Sequence, residues 1–243
     1  MSFNSGTEKR ALITGASRGI GKATALAFAQ AGIQVALVSR SPDQLAAVAD
    51  LASQAGAKAQ AYTVDLSRLE QIKTEISAIA ADFGPIDILV NNAGMGYTNS
   101  LSDTSLTDWQ RVIELNLTSV FQCIQGILPG MRDRGQGTII NVVSIAGQQV
   151  FPNWGAYSVS KFGLMALSKT LAVEERNHGI RVTTICPGSV NTPMWDTETV
   201  QADFDRSAML TPEIVAQSIL HTALAPSSAV IEQLTLMPSG GSF

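Results

Sequence analysis

The sequence predicts an α/β fold organised as a doubly wound, mostly parallel sheet. Three observations carry that expectation. Short apolar runs alternate with helical stretches from end to end. A glycine-rich turn follows the first apolar run and opens a helix of small residues. The residues with chemistry to offer, Gly15, Arg40, Asp65, Asn92, Ser144 and Pro187, fall where apolar runs end, and open α/β sheets bind ligands outside the carboxyl ends of their strands. A chain of 243 residues that is 45% hydrophobic can bury one sizeable core, and no linker, repeat or low-complexity tract divides it.

Taken in order, residues 11–14 form the first strand and lead into Gly15-Ala16-Ser17-Arg18-Gly19-Ile20-Gly21, with a helix expected over 20–31. Glycines permit the tight turn and a close approach, and a helix N-terminus offers free N–H groups to a phosphate. The spacing is Gly-x-x-x-Gly-x-Gly, not the Gly-x-Gly-x-x-Gly of the usual dinucleotide fingerprint. Three glycines also suit a plain loop; their place between strand and helix favours a nucleotide site. The second strand, 34–38, ends at Ser39-Arg40-Ser41. There a carboxylate would accept from a ribose 2′-hydroxyl, whereas an arginine accommodates a 2′-phosphate. Arg40, with Arg18 in the turn, therefore favours NADP(H). The bland alternative is a pair of solvated arginines partly neutralised by Asp43.

Pro42 suits the first position of a helix over 42–54. A third strand over 57–64 ends at Asp65-Leu66, where Asp65 either accepts from an adenine amino group or caps the helix expected over 69–83. Gly84-Pro85 stops that helix, and a fourth strand, 86–90, opens into Asn91-Asn92-Ala93-Gly94. Small residues there let a flat ring approach the backbone, while the Asn side chains can brace neighbouring strands. After a polar loop over 96–105, one long helix is expected over 107–131, bent near Gly126 and Pro129. Asn116 lies polar in its middle. It serves packing, a helix-to-strand hydrogen bond, or a water in a proton relay.

The fifth strand, 137–143, ends at Ser144, and a helix over 156–169 places Tyr157 and Lys161 one turn apart on one face. A free phenol titrates near about 10, too high for ready proton exchange at neutral pH, and a fixed ammonium nearby lowers it. Such a Tyr can pass a proton to or from a carbonyl or alcohol oxygen, which a hydroxyl such as Ser144 can hold. Alone, the Tyr-x-x-x-Lys spacing equally describes an exposed Lys beside a half-buried Tyr. Between them, Gln148, Gln149, Val150, Phe151 and Trp154 are expected to shape a substrate wall. A sixth strand, 180–185, runs into Cys186-Pro187-Gly188, followed by Val190-Asn191-Thr192-Pro193. Residues 194–210, with Trp195 and Phe204 among acids, show no periodicity and read as a mobile lid. Thr211 caps a last helix that has Pro212 at its first position, and a final strand is expected over 231–237.

Composition narrows the function classes. A net charge of −4 argues against nucleic acid or an anionic membrane as the main partner. Cys123 and Cys186 provide no disulfide framework and suit a reducing, cytoplasmic setting. His178 and His221 lack a Cys or carboxylate partner at metal-ligand spacing, so no metal is expected. Neither an apolar signal core in MSFNSGTEKR nor a membrane span is evident.

With these residues in hand, the chain resembles the short-chain dehydrogenase/reductase family along essentially its whole length. The matching stretches are Thr14-Gly15-Ala16-Ser17-Arg18-Gly19-Ile20-Gly21, Asp65-Leu66, Asn91-Asn92-Ala93-Gly94, Asn116, Ser144, Tyr157-Ser158-Val159-Ser160-Lys161 and Pro187-Gly188, in the family's order and approximate spacing. The resemblance implies one Rossmann-like domain spanning 1–243, with seven parallel strands flanked by helices and a substrate lid near 190–211. It implies Tyr157 as general acid/base, Lys161 holding the nicotinamide ribose and lowering the pKa of Tyr157, Ser144 positioning the substrate oxygen, and Asn116 holding a relay water. It places Gly15, Ser17, Arg18, Gly19, Ile20 and Gly21 at the cofactor phosphates and Arg40 at the 2′-phosphate. Asp65 and Leu66 would serve the adenine, Asn92, Ala93 and Gly94 the adjacent ribose, and Pro187, Gly188, Val190 and Thr192 the nicotinamide.

The implied reaction is NADPH-dependent reduction of a ketone or 3-oxo group. Within the family, the first half is similar to 3-oxoacyl-carrier-protein reductases, while the ending looks more like 3-hydroxy acid and carbonyl reductases. A carrier-protein partner would want a basic patch beside the active site, to which Arg132 and Arg134 could contribute. A homotetramer joined through the long helix and the Tyr157 helix is implied as well. A catalytically silent nucleotide-binding regulator is the competing class.

Overall fold

The structure, a computed structural model, describes residues 8–202 and 205–241. Seven strands form one fully parallel sheet: β1 Arg10–Thr14, β2 Gln34–Ser39, β3 Ala59–Thr63, β4 Ile88–Asn91, β5 Gly137–Val142, β6 Ile180–Pro187 and β7 Gln233–Leu236. Their order is β3-β2-β1-β4-β5-β6-β7. Leu12 registers against Ala36 on one side and Leu89 on the other, so the winding direction reverses between β1 and β4. At such a reversal the connections leave in opposite directions and a crevice opens at the strands' carboxyl ends.

Helices cover both faces: α1 Gly19–Gln30, α2 Pro42–Gln54 and α7 Pro212–Ala223 on one, α3 Leu69–Phe83, α5 Ser119–Arg134 and α6 Gly155–Glu175 on the other. A short α4, Leu106–Ile113, leads towards α5. Strand side chains alternate between faces. Ala11, Ile13, Leu37 and Ile140 enter the core under α1, α2 and α7. Leu12, Ala36, Val38 and Ile139 enter the other core, with Ile72, Ile124 and Leu164 from the opposite helices. Purely parallel strands buried on both sides need such continuous apolar runs. Capping follows the sequence: Pro42 and Pro212 occupy first turns, and Thr211 Oγ1 accepts from the N–H of Ile214.

The long helix expected over 107–131 is interrupted, and not where the sequence suggested. The break from α-helical hydrogen bonding is a π-turn at Glu114–Thr118, whereas α5 runs unbroken through Gly126 and Pro129. Gly126 is small because Ile76 of α3 packs against it, 2.9 Å from where a Cβ would stand. The edge strand β7 is shorter than expected, and α6 runs on to Glu175, whose buried carboxylate forks with Arg132.

Residues 194–202 and 205–210 contain only two short 3-10 turns, Pro193–Asp196 and Arg206–Ala208, yet they are tied down. Arg206 donates to Asn191 Oδ1 at 2.8 Å, Asp196 Oδ1 at 2.5 Å and the Thr192 carbonyl at 3.1 Å. The segment expected as a lid is thus irregular, as its sequence suggested, and hydrogen-bonded to the chain beside it. Phe204, expected in it, lies outside the described residues. Among the described residues no helix is long and apolar enough to cross a membrane, and no three His, Cys, Asp or Glu side chains cluster as metal ligands.

Candidate active site

A cleft of about 740 Å³ runs along the carboxyl ends of the strands. At one end lies the turn after β1. Gly15 has φ +65, a conformation open to glycine and costly for other residues. A Cβ on Gly21 would collide with the Gly15 carbonyl, so helix and turn close on each other only without one. Arg18 precedes α1 in extended conformation and no side chain caps the helix, which leaves its first N–H groups facing the cleft. Asn92 ties this turn to β4: its Nδ2 donates to the carbonyls of Thr14 at 3.0 Å and Gly15 at 3.3 Å. Asn91 donates to Asn141 Oδ1 at 2.8 Å, so both Asn side chains brace strands as expected.

Beyond the turn, Arg18 and Arg40 both line the cleft, both are exposed, and among the described residues neither forms an ion pair with Asp43 or any other acid. Asp65 does not cap α3. Its Oδ1 accepts from the Ser67 N–H at 3.0 Å and hydroxyl at 2.8 Å, and these bonds, with Arg40 and Arg68 nearby, hold its carboxyl below the usual range. Two unpaired cations, a helix N-terminus and a cradle that a Cβ would fill are a fitting set of donors for a nucleotide carrying several phosphates.

At the other end stand Ser144, Tyr157 and Lys161. Lys161, 5% exposed, donates to the Val142 carbonyl at 3.1 Å and lies 5.7 Å from the Tyr157 ring centre. Burial lowers its pKa to about 8. Burial also pushes the Tyr157 phenol up, opposed by a hydrogen bond from the Ser144 hydroxyl. The expected lowering by Lys161 is not among the influences on Tyr157 in the chain alone, where withdrawal from water dominates at both groups. Ser144 sits at φ +154, a rare backbone setting for a side-chain-bearing residue, and its Oγ accepts from the Ala146 N–H at 3.1 Å.

Asn116 does not reach the cleft. Fully buried in the π-turn, it accepts from the Met95 N–H at 2.8 Å and donates to the Met95 carbonyl at 2.9 Å and Ser160 Oγ at 3.0 Å. Ser160 in turn donates to the Tyr157 carbonyl at 2.6 Å. Asn116 is therefore a helix-to-loop brace whose side-chain donors are both used, one bond removed from the first turn of α6.

Of the remaining expected residues, Ser17, Gly19, Ile20, Leu66, Ala93, Gly94, Pro187, Gly188, Val190 and Thr192 line the cleft, and Gly21 stands behind it. Phe151 and Trp154 form part of the wall, whereas Gln148 turns away to Thr235 Oγ1 and Val150 is exposed. Sequence reasoning missed Met95 and Ser160, and placed Met194 only as part of the lid. A thioether carries no local signal, and only the fold brings Gly96 beside Met194.

Comparison with known proteins settles the family. The model of the family described as short chain dehydrogenase matches residues 9–203. The chain belongs to that family. Among its relatives, the 3-oxoacyl-[acyl-carrier-protein] reductase of a Synechocystis strain is 37% identical over 97% of each chain. The glycine betaine reductase ATRR of Emericella nidulans is 34% identical over 95% of this chain, which spans only 19% of that longer protein. A solved alcohol dehydrogenase from the archaeon Thermococcus sibiricus, complexed with 5-hydroxy-NADP, superposes with a TM-score of 0.87 at 29% identity, covering 96% of this chain and 97% of its own. As a short chain dehydrogenase, the protein is an oxidoreductase that interconverts CH–OH and C=O groups with a nicotinamide nucleotide.

Proposed function

We propose that this short chain dehydrogenase uses NADP(H) to reduce a ketone or 3-oxo group to a secondary alcohol, reversibly. The observation that carries the reading is the convergence of Ser144, Tyr157 and Lys161 at one end of a cleft whose other end holds the unpaired Arg18 and Arg40. The bound nicotinamide supplies the hydride. Ser144 holds the carbonyl oxygen by hydrogen bond, and Tyr157 Oη delivers a proton to that oxygen as negative charge gathers on it. A phenol kept protonated by burial suits the donor's part, and the Ser144 hydrogen bond eases its ionisation for the reverse reaction. Lys161 holds the nicotinamide ribose and provides a cation beside the ring. Asn116 fixes the start of α6 through Ser160, and with both side-chain donors used it would hold a relay water through an oxygen, its own Oδ1 or its backbone carbonyl.

Arg40 receives the 2′-phosphate, Arg18 with the glycine turn and the α1 N-terminus the phosphates, and Asp65 with Leu66 the adenine. Asn92, Ala93 and Gly94 line the ribose site, and Pro187, Gly188, Val190 and Thr192 the nicotinamide. The segment near 190–211 acts as the substrate lid. Two buried free cysteines are in keeping with a cytoplasmic setting, and the exposed Phe121, Val159 and Phe162 on α5 and α6 with a homotetramer.

The Synechocystis relative favours a second reading, reduction of a carrier-bound 3-oxoacyl group. The basic patch foreseen for it fails on position. Arg132 and Arg134 end α5 just before β5 begins, at the end of the sheet opposite the cleft, and they engage Glu175, the Ile86 carbonyl and Asp87.

The test is NADPH oxidation by the purified chain with ketones, a β-keto ester, a 3-oxo acid and a 3-oxoacyl thioester. Carbonyl-dependent oxidation yielding the secondary alcohol is expected. Tight NADPH binding without turnover of any of them would instead support a silent nucleotide-binding regulator.

A further inference from the structure

The substrate end of the cleft is walled by rings and thioethers. Trp154 packs edge-on against Tyr157 with ring centres 5.3 Å apart, and against Trp195 of the lid at 5.8 Å. Phe151, Met95 and Met194 line the same space. Trp195 is locked in place, because its indole N–H donates to the Val190 carbonyl at 2.7 Å.

The lid also lies closed over this end. The Thr199 hydroxyl donates to the Gly96 carbonyl at 2.8 Å, the Thr98 N–H to the Thr199 carbonyl at 2.9 Å and the Gln201 N–H to Thr98 Oγ1 at 2.7 Å. Val200 and Met194 rest on Gly96 at distances that a Cβ there would invade.

Charge points the same way. The charged lid residues lining the cleft are acidic, Asp196 and Glu198, and Asp196 is paired with Arg206. Besides Lys161, the cations lining the cleft are Arg18, Arg40 and Arg111. The first two lie at the nucleotide end, and Arg111 is one turn from Glu114, which also borders Ser67 beside Asp65. At the Tyr157 end Lys161 lines the cleft, and its Nζ donates to the Val142 carbonyl.

Building on the ketone-reductase reading, we infer that the substrate is an uncharged ketone bearing an aromatic or similarly flat apolar group, held by Trp154 and Trp195, with Trp195 the residue that selects it. Flat rings gain from edge-to-face contact with indoles beyond simple burial. An anionic 3-oxo acid gains nothing from such rings, and the lid lining the cleft offers it the carboxylates of Asp196 and Glu198.

Two readouts separate this inference from the reading it rests on. The first is kcat/KM for acetophenone, 2-butanone and acetoacetate with NADPH, in the native chain and in Trp195→Ala. Acetophenone should lead the three. The variant should lose at least about tenfold more on acetophenone than on 2-butanone. The second is equilibrium binding of 1-phenylethanol to the Tyr157→Phe protein with NADP+, read by tryptophan fluorescence and independent of turnover. Binding at least about tenfold tighter than 3-hydroxybutyrate is expected. A native chain that prefers acetoacetate or binds 3-hydroxybutyrate more tightly overturns the inference, as does an equal loss on both ketones in Trp195→Ala. Failure of the chemistry with retained aryl-alcohol binding would remove the ketoreductase reading and leave the selectivity of the wall standing.

Discussion

Lys161 shows in one residue how stability and function pull against each other. Its folded-state pKa, lowered from 10.5 to about 8 by burial, means that the ammonium is held at a cost of roughly 3 kcal/mol near neutral pH. The cost is fully present below pH 8 and disappears as pH rises through 10.5, where the unfolded chain also loses its proton. Stability should therefore contain a component that increases across that window. Denaturant midpoints of native protein and Lys161→Met against pH would isolate it: the difference should narrow as pH rises, with the variant at least as stable at pH 7 and inactive. Arg40 supports a second prediction at this scale. Arg40→Asp should weaken NADPH binding at least about tenfold and leave NADH nearly unchanged, as measured by fluorescence titration. Equal losses would show that Arg40 does not read the 2′-phosphate. These residues were legible because their chemistry depends on type and spacing. The burial that raises Tyr157 was not, because desolvation comes from distant segments folding over the site.

At the scale of elements, strands and helices were legible to within a few residues because buried parallel strands must be apolar runs and helix starts carry their own caps. Pro42, Thr211 and Pro212 marked theirs correctly. The failure lay at Glu114–Thr118. A π-turn leaves no signature of its own, whereas Pro129 supplies the usual signal for a bend and α5 tolerates it. Asn116 lies within the turn, where its side chain pairs with the backbone of Met95 and reaches Ser160. Removing it leaves buried groups unpaired. Asn116→Ala should cost about 1–3 kcal/mol in chemical denaturation and lower kcat more than it raises the Kd for NADPH. Unchanged stability would mean that water or a local shift replaces the brace.

At the scale of the whole molecule, the reversal between β1 and β4 explains why residues from Gly15 to Thr199 meet in one cleft. That convergence was readable, since each of the first six strands leads into a residue with chemistry. The lid was readable only as irregular, because its fastening through Arg206 and Thr199 joins segments as far as 103 residues apart. Exposed Phe121, Val159 and Phe162 predict self-association through α5 and α6. Light scattering should give a tetramer for the native chain and a smaller species for Phe162→Asp, and a native monomer would refute it.

The central claim is that Tyr157 delivers the proton to a carbonyl oxygen held beside the nicotinamide. Tyr157→Phe keeps the ring and removes only the hydroxyl, so ketone-dependent NADPH oxidation at saturating cofactor tests it most directly. A fall in kcat of about a hundredfold or more with NADPH binding unchanged is expected; turnover near that of the native chain would contradict a proton-transfer role for Tyr157.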